Sequence, residues 1–117
     1  MNKKDINKVT KISESLDWSV IVDGNEFEFE KWSPAGQDFI MSITANNIDE
    51  LIDELYEKYD NYDPSEEAYL WLDESGHGKN GAPYDMKDVY EDMEACQEMI
   101  LELCDAIMAK NRWNKSK

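Results

Sequence analysis

One stretch restricts the fold of this chain more than any other. From Glu26 to Glu30 charged and apolar residues alternate strictly, with Lys31 and Trp32 after them, and a second run with apolar residues at every other position follows from Asp38 to Thr44. A period of two is the signature of a half-buried strand. It puts Phe27 and Phe29 on one face and Glu26, Glu28 and Glu30 on the other, and in the second run it groups Phe39, Met41 and Ile43. Between the runs lies Ser33-Pro34-Ala35-Gly36-Gln37. Pro34 suits the second position of a tight turn, and Gly36 supplies any positive φ the reversal needs. The expectation is a β-hairpin with one apolar face to be covered and a row of carboxylates facing water.

The flanking segments extend this unit. Trp18, Val20 and Val22 alternate with Ser19, Ile21 and Asp23, and Asp23-Gly24-Asn25 leads straight into Glu26. That predicts a first strand and a short turn, giving a three-stranded antiparallel meander. Three strands with helical cover can be stable where one hairpin is marginal. Ile6, Val9, Ile12 or Ser13, and Leu16 follow helical spacing, predicting a first helix from Lys4 to Ser15, frayed at its start. After Asn46 and Asn47, either of which can cap a helix, Ile48, Leu51, Ile52, Leu55, Tyr56 and Tyr59 form an apolar stripe. Asp63-Pro64-Ser65-Glu66 reads as the next helix start, with Asp63 as cap and Ala68, Tyr69, Trp71 and Leu72 carried behind it. Asp73 to Asp85 holds three glycines and Pro83 and predicts a loop of functional length. Met86, Val89, Tyr90, Met93, Cys96, Ile100, Leu103, Cys104 and Ile107 predict a long last helix ending near Lys110, where Lys110 and Arg112 suit the dipole. The fold class is thus α+β: a three-stranded antiparallel meander packed against helices, the longest last. All 117 residues form one domain, with frayed basic ends at 1–4 and 111–117.

Charge narrows the function classes. The net charge is −15, yet residues 1–11 carry +3 and residues 110–117 carry +4, so by difference the body between them holds −22. A field of that sign opposes direct binding to nucleic acid and to anionic membrane. The N-terminal residues open no apolar run, which predicts no secretory signal, and no stretch reaches the ~20 apolar residues of a membrane span. Cys96 and Cys104 sit eight apart in one helix. That is roughly 12 Å along the axis, beyond the ~7 Å Cα limit of a disulfide, so reduced core thiols of a cytoplasmic protein are expected.

Four constellations compete for a functional role. Glu26, Glu28 and Glu30 would stand roughly 6.6–6.8 Å apart along one strand face. Asp49, Asp53 and Glu57 recur four apart on the next helix, as do Glu50 and Glu54. Like charges at that spacing cost a few tenths of a kcal/mol each, and Lys58 is the nearest relief. A surface built for solubility intersperses both signs, whereas a nucleic-acid backbone is a row of regular negative charges. An acidic face of this kind suits a basic protein groove; a merely solvated face is the plain alternative. Secondly, Asp60, Asn61, Asp63, Glu66 and Glu67 cluster oxygen donors without the glycine or spacing of a calcium loop, and a capped helix start explains them. Thirdly, His77 and Ser75 lie among glycines without a nucleophile elbow or a second histidine, so neither catalytic residues nor a metal or other cofactor are expected. Fourthly, Trp18, Phe27, Phe29, Phe39, Tyr56, Tyr59 and Trp71 are assigned to the core. Trp32 shares the glutamate face and Trp113 lies in the basic tail, and either suits an interface anchor.

The segment Trp32-Ser33-Pro34-Ala35-Gly36-Gln37-Asp38-Phe39, followed by an acidic helix, resembles small acidic proteins of phages and conjugative elements. So does Trp71 followed by Gly78-Lys79-Asn80-Gly81-Ala82-Pro83 and a closing helix. The resemblance spans about Phe27 to Ala109 and leaves the first helix outside. Some proteins of that kind inhibit restriction or CRISPR nucleases by occupying their nucleic-acid channels. What it implies here is a non-enzymatic protein with a basic, nucleic-acid-binding partner. It assigns no residues; the partner-binding set expected from the residues themselves is Glu26, Glu28, Glu30, Trp32, Asp49, Asp53 and Glu57. The alternative is an assembly module of a mobile element that self-associates through helices, its acids serving solubility alone.

Overall fold

The computed structural model describes residues 1–75 and 86–115, with side chains described over 1–70 and 87–111. The order is α1 (Lys3–Ser15), β1 (Ser19–Asp23), β2 (Glu26–Trp32), β3 (Asp38–Thr44), α2 (Ile48–Asn61), α3 (Pro64–Ser75) and α4 (Met86–Lys115). The fold is α+β, and the strands form an antiparallel sheet in the order β1-β2-β3. Both hairpins follow from local turn chemistry. Gly24 takes φ +63° at the first position of the two-residue β1–β2 loop, the place a type II′ turn gives to glycine. In the β2–β3 loop the Gly36 N–H donates to the Ser33 carbonyl (2.8 Å), the Ser33 N–H donates to the Gln37 carbonyl (2.7 Å), and Gly36 has φ +87°. This is the three-residue loop closed by a left-handed residue.

The expected inward facing is observed. Phe27 pairs with Val22 and Ile43, and Phe29 with Val20 and Met41, so one face of the sheet is apolar. Helices α1, α2 and α4 cover it, and Val9, Leu51, Leu55, Cys96, Ile100, Leu103, Cys104 and Ile107 join Phe27, Phe29, Met41 and Ile43 in one core. Each large side chain buried in this way contributes about 1.5–3 kcal/mol relative to leaving it in water. Ala68, Val89 and Met93 form a second, smaller cluster where α3 lies on α4. Trp18 is buried just before β1, edge-on to Phe29 and Phe39 at 6.2 and 6.0 Å between ring centroids.

The helix ends are closed by specific groups. Asn2 accepts from the Asp5 N–H, Asn47 from the Glu50 N–H, and Asp63 from the Ser65 and Glu66 N–H groups; each such cap is worth about 1 kcal/mol. Helix α1 stops with the Trp18 N–H on the Ser13 carbonyl, the Asp17 N–H on the Glu14 carbonyl, and Asp17 at φ +70°. That is a Schellman ending with aspartate in the site glycine usually takes. At the end of α2 the Gln97 amide donates to both the Tyr59 and Tyr62 carbonyls.

At the start of the chain Asn2 caps α1 from Lys3, and Met1 packs on the core. Several expectations are corrected. Helix α4 does not end near Lys110 but continues to Lys115, because favourable dipole charge marks a last turn without terminating it. Helix α3 runs to Ser75, so Asp73–Ser75 are helical and not loop. Tyr56, assigned to the core, is exposed, and Tyr69 does not join Ala68 in the core. The apolar stripes of α2 and α3 are wider than the arcs their neighbours cover. His77 and the rest of 76–85 lie outside the described residues, and so do the side chains of Trp71 and Trp113. Among the described residues, no helix is long and apolar enough to cross a membrane.

Candidate interaction surface

The strand period that builds the core also builds its opposite. Ser19, Ile21 and Asp23 of β1, Glu26, Glu28, Glu30 and Trp32 of β2, and Asp38, Ile40, Ser42 and Thr44 of β3 are all exposed on the second face of the sheet. Among the described residues nothing packs on it. The register sets the neighbours across it: Glu26 lies between Asp23 and Thr44, Glu28 between Ile21 and Ser42, Glu30 between Ser19 and Ile40, and Trp32 faces Asp38. Five carboxylates thus share this face with three large apolar side chains, Trp32 and Ile21 each 65% exposed and Ile40 48%.

Among the described residues, the face contains no lysine or arginine. The single cation in the strands, Lys31, points to the other side, where its ammonium lies 5.7 Å from the Trp18 ring centroid and 3.9 Å from a Glu102 oxygen. Like charges directly opposite in a sheet are destabilising, as for Asp23 and Glu26. Glu30 and Asp38 are diagonal neighbours across β2 and β3: repulsion from Asp38, with some desolvation, a hydrogen bond to Asp38 and the Glu28 charge, holds the Glu30 carboxyl pKa above the usual value. A depression of about 350 Å³ lies at the Asp23 end, walled by Ile21, Asp23, Glu26, Glu28, Ser42 and Thr44 among others.

The second carboxylate row stands elsewhere. Asp49, Asp53 and Glu57 are exposed on α2, whose Ile48, Leu51 and Leu55 are buried in the core. They therefore point away from the sheet, on the helical side of the molecule, and do not continue the strand row. Their surroundings are also more mixed. The Asn111 amide donates to Asp49 at 3.1 Å, and Asp53 is near enough to Cys104 to help raise its thiol pKa. Glu57 shares a depression of about 430 Å³ with Glu54, Lys58, Asn61, Tyr62 and Glu67, three carboxylates around one lysine.

One structural residue escapes sequence reasoning. Asp92 of α4 is 5% exposed and reaches the β2–β3 loop. Its Oδ2 accepts from the Ser33 hydroxyl at 2.6 Å and its Oδ1 from the Ala35 N–H at 3.0 Å, while Ser33 Oγ accepts from the Gln37 N–H at 2.9 Å. The loop beside Trp32 is thereby tied to the longest helix. The available signal was an aspartate next to Met93 within the apolar series of α4, at a position where polar residues are normally solvated. The oxygen-rich stretch that begins at Asp60 is a helix start, with Asp63 capping α3. No protein-family model, curated protein or solved structure matches the chain.

Proposed function

We propose that this is a non-enzymatic acidic protein that binds a basic protein surface, the groove of a nucleic-acid-binding protein above all. It would inhibit by occupying that groove, as antirestriction and anti-CRISPR proteins of mobile elements do. The observation that carries the reading is the open sheet face, where five carboxylates stand without a cation among the described residues. The strand row repeats at roughly twice the ~3.4 Å phosphate rise of a nucleic-acid strand. Complementary charge of this density steers encounter and makes association sensitive to salt. The test is capture from a bacterial lysate at low and high salt, with and without competing duplex DNA. The Glu26→Lys/Glu28→Lys/Glu30→Lys chain should retain its circular dichroism and lose capture, and DNA should compete with the wild type. Capture that is equal at both salts, or indifferent to DNA, refutes the reading.

A second reading rests on Tyr56, Tyr69 and Leu70, which are exposed on α2 and α3. They suit a module that self-associates through its helices. Sedimentation that shifts with protein concentration, and ceases to shift in Tyr69→Ser/Leu70→Ser, would favour it.

A further inference from the structure

Basic partners differ in what they offer, and the open sheet face is selective in what it can receive. We propose that it docks an arginine-bearing segment of the partner, with a guanidinium stacked on Trp32 and its N–H groups received by Asp38 and Glu30. This rests on the reading of the protein as an acidic binder and deepens it.

The geometry comes from the sheet register. Trp32 and Asp38 are directly paired across β2 and β3, which sets their Cβ atoms ~4.5–5.5 Å apart. Glu30 follows Trp32 on the same face at roughly 6.6–6.8 Å along the strand. An indole with two carboxylates at its edge is matched by a planar cation that both stacks and forks its hydrogen bonds. Arginine does this; lysine, a compact and strongly hydrated point charge, does not. Ile40, cross-strand from Glu30, and Ile21, cross-strand from Glu28, offer apolar surface to the methylene stems that long basic side chains carry. The mutual repulsion of Glu30 and Asp38 is relieved when a cation arrives between them.

Charge also decides between occupants. A second copy of the chain laid on this face would set five carboxylates against five with no cation between them. Anionic lipid and nucleic acid meet the same objection. The Asp92 tie holds the loop next to Trp32, so the indole is presented on a fixed hairpin end.

The test is calorimetric titration of the whole chain with a short arginine–serine peptide and with its lysine–serine counterpart at low salt. The arginine peptide should bind about fivefold to tenfold more tightly. Trp32→Ala should weaken the arginine peptide more than the lysine peptide and so reduce that preference by about half or more, since planar stacking is lost while the fork to Glu30 and Asp38 remains. Glu30→Gln/Asp38→Asn should weaken both peptides, and Asp49→Asn/Asp53→Asn/Glu57→Gln should leave the preference intact. Because Trp32 is mostly exposed, its loss does not open the core, and an unchanged urea midpoint verifies that. Equal affinity for the two peptides, or a preference undiminished in Trp32→Ala, overturns the arginine site and leaves the acidic-binder reading standing. Failure of both peptides to bind at low salt overturns both. Self-association of the wild type that Trp32→Ala abolishes would give the face to a second copy and overturn the proposal.

Discussion

The Asp92 tie yields the sharpest test of how this fold is held. Its carboxylate is nearly inaccessible and receives two hydrogen bonds from a loop fifty-nine and fifty-seven residues away. A hydrogen bond to a charged group contributes about 1.5–3 kcal/mol, and a donor left buried without a partner costs about 1–3 kcal/mol. Asp92→Ala strands the Ser33 hydroxyl and the Ala35 N–H together. The two bonds share one carboxylate and do not add fully, and removing a negative charge from so acidic a chain returns a few tenths, so the net loss should be about 3 kcal/mol. Set against the 5–15 kcal/mol typical of a domain's total stability, that is a large fraction.

Urea unfolding reads this directly. With a slope of about 2 kcal/mol/M, the midpoint of Asp92→Ala should fall by about 1.5 M. Asp92→Asn keeps the shape and one acceptor but turns an amide NH₂ toward one of the two donors. It should lose roughly half as much, about 1–2 kcal/mol. A Ser33→Ala/Asp92→Ala double-mutant cycle should show coupling of at least about 1 kcal/mol, because each residue is the other's partner. The Ala35 amide should exchange hydrogen faster in either Asp92 variant. A midpoint shift below about 0.4 M for Asp92→Ala, or a cycle without coupling, refutes the claim that the carboxylate holds the hairpin end.

Two further perturbations test the charge and the core. Because Asp38 raises the Glu30 pKa, the folded chain holds that proton more readily than the unfolded one. The stability gained from it is present below the ordinary glutamate value and is lost as pH rises through the raised one. Glu30→Gln should flatten that decline in the urea midpoint, whereas a wild-type midpoint that does not fall across this window contradicts the repulsion. In the core, burial chiefly, aided by Asp92, pushes the Cys96 thiol up to about 12, and burial with Asp105 and Asp53 pushes Cys104 up to about 11. Both should resist a disulfide reagent at neutral pH in the native chain and react in urea, since the thiolate is the reactive form. Prompt labelling of either cysteine in the native chain would show the core to be more open than described.

Much of the fold was legible because its signals are local. Alternation in 26–44 fixes which strand residues face inward, and Pro34 with Gly36 marks the reversal between them. Asn47 and Asp63 start helices by bonding to amides within three residues. What was not legible depends on distant partners. Nothing near Asp92 in the chain announces that Ser33 and Ala35 will meet it. The exposure of Tyr56 and Tyr69 depends on how far neighbouring elements extend over α2 and α3, which periodicity does not encode. The candidate surface was half legible: Glu26, Glu28, Glu30 and Trp32 follow from alternation, and so do the outward positions of Ile21 and Ile40. Asp23 and Asp38 share the parity of Ile21 and Ile40 and follow with them; which carboxylates become neighbours across the strands, and the separation of this face from the α2 row, required the sheet register and the packing of α2.

That separation bears on what the acids are for. Asp49 and Glu50 occupy the first turn of α2, where negative charge complements the helix dipole, and Asp49 also receives the Asn111 amide. These acids have structural work on the helix that carries them. The sheet acids have the opposite relation to their surroundings. Asp23 is paired with Glu26, Asp38 meets Glu30, and the one lysine of the strands is turned to the far side. A face evolved only to stay dissolved would mix the signs and would not space tryptophan and isoleucine among its charges. Arrangements that disfavour the isolated fold persist where function rewards them. Opposed carboxylates beside an exposed indole are unfavourable in water and favourable under a cation, which ties the local cost on this sheet to the class of partner proposed for it.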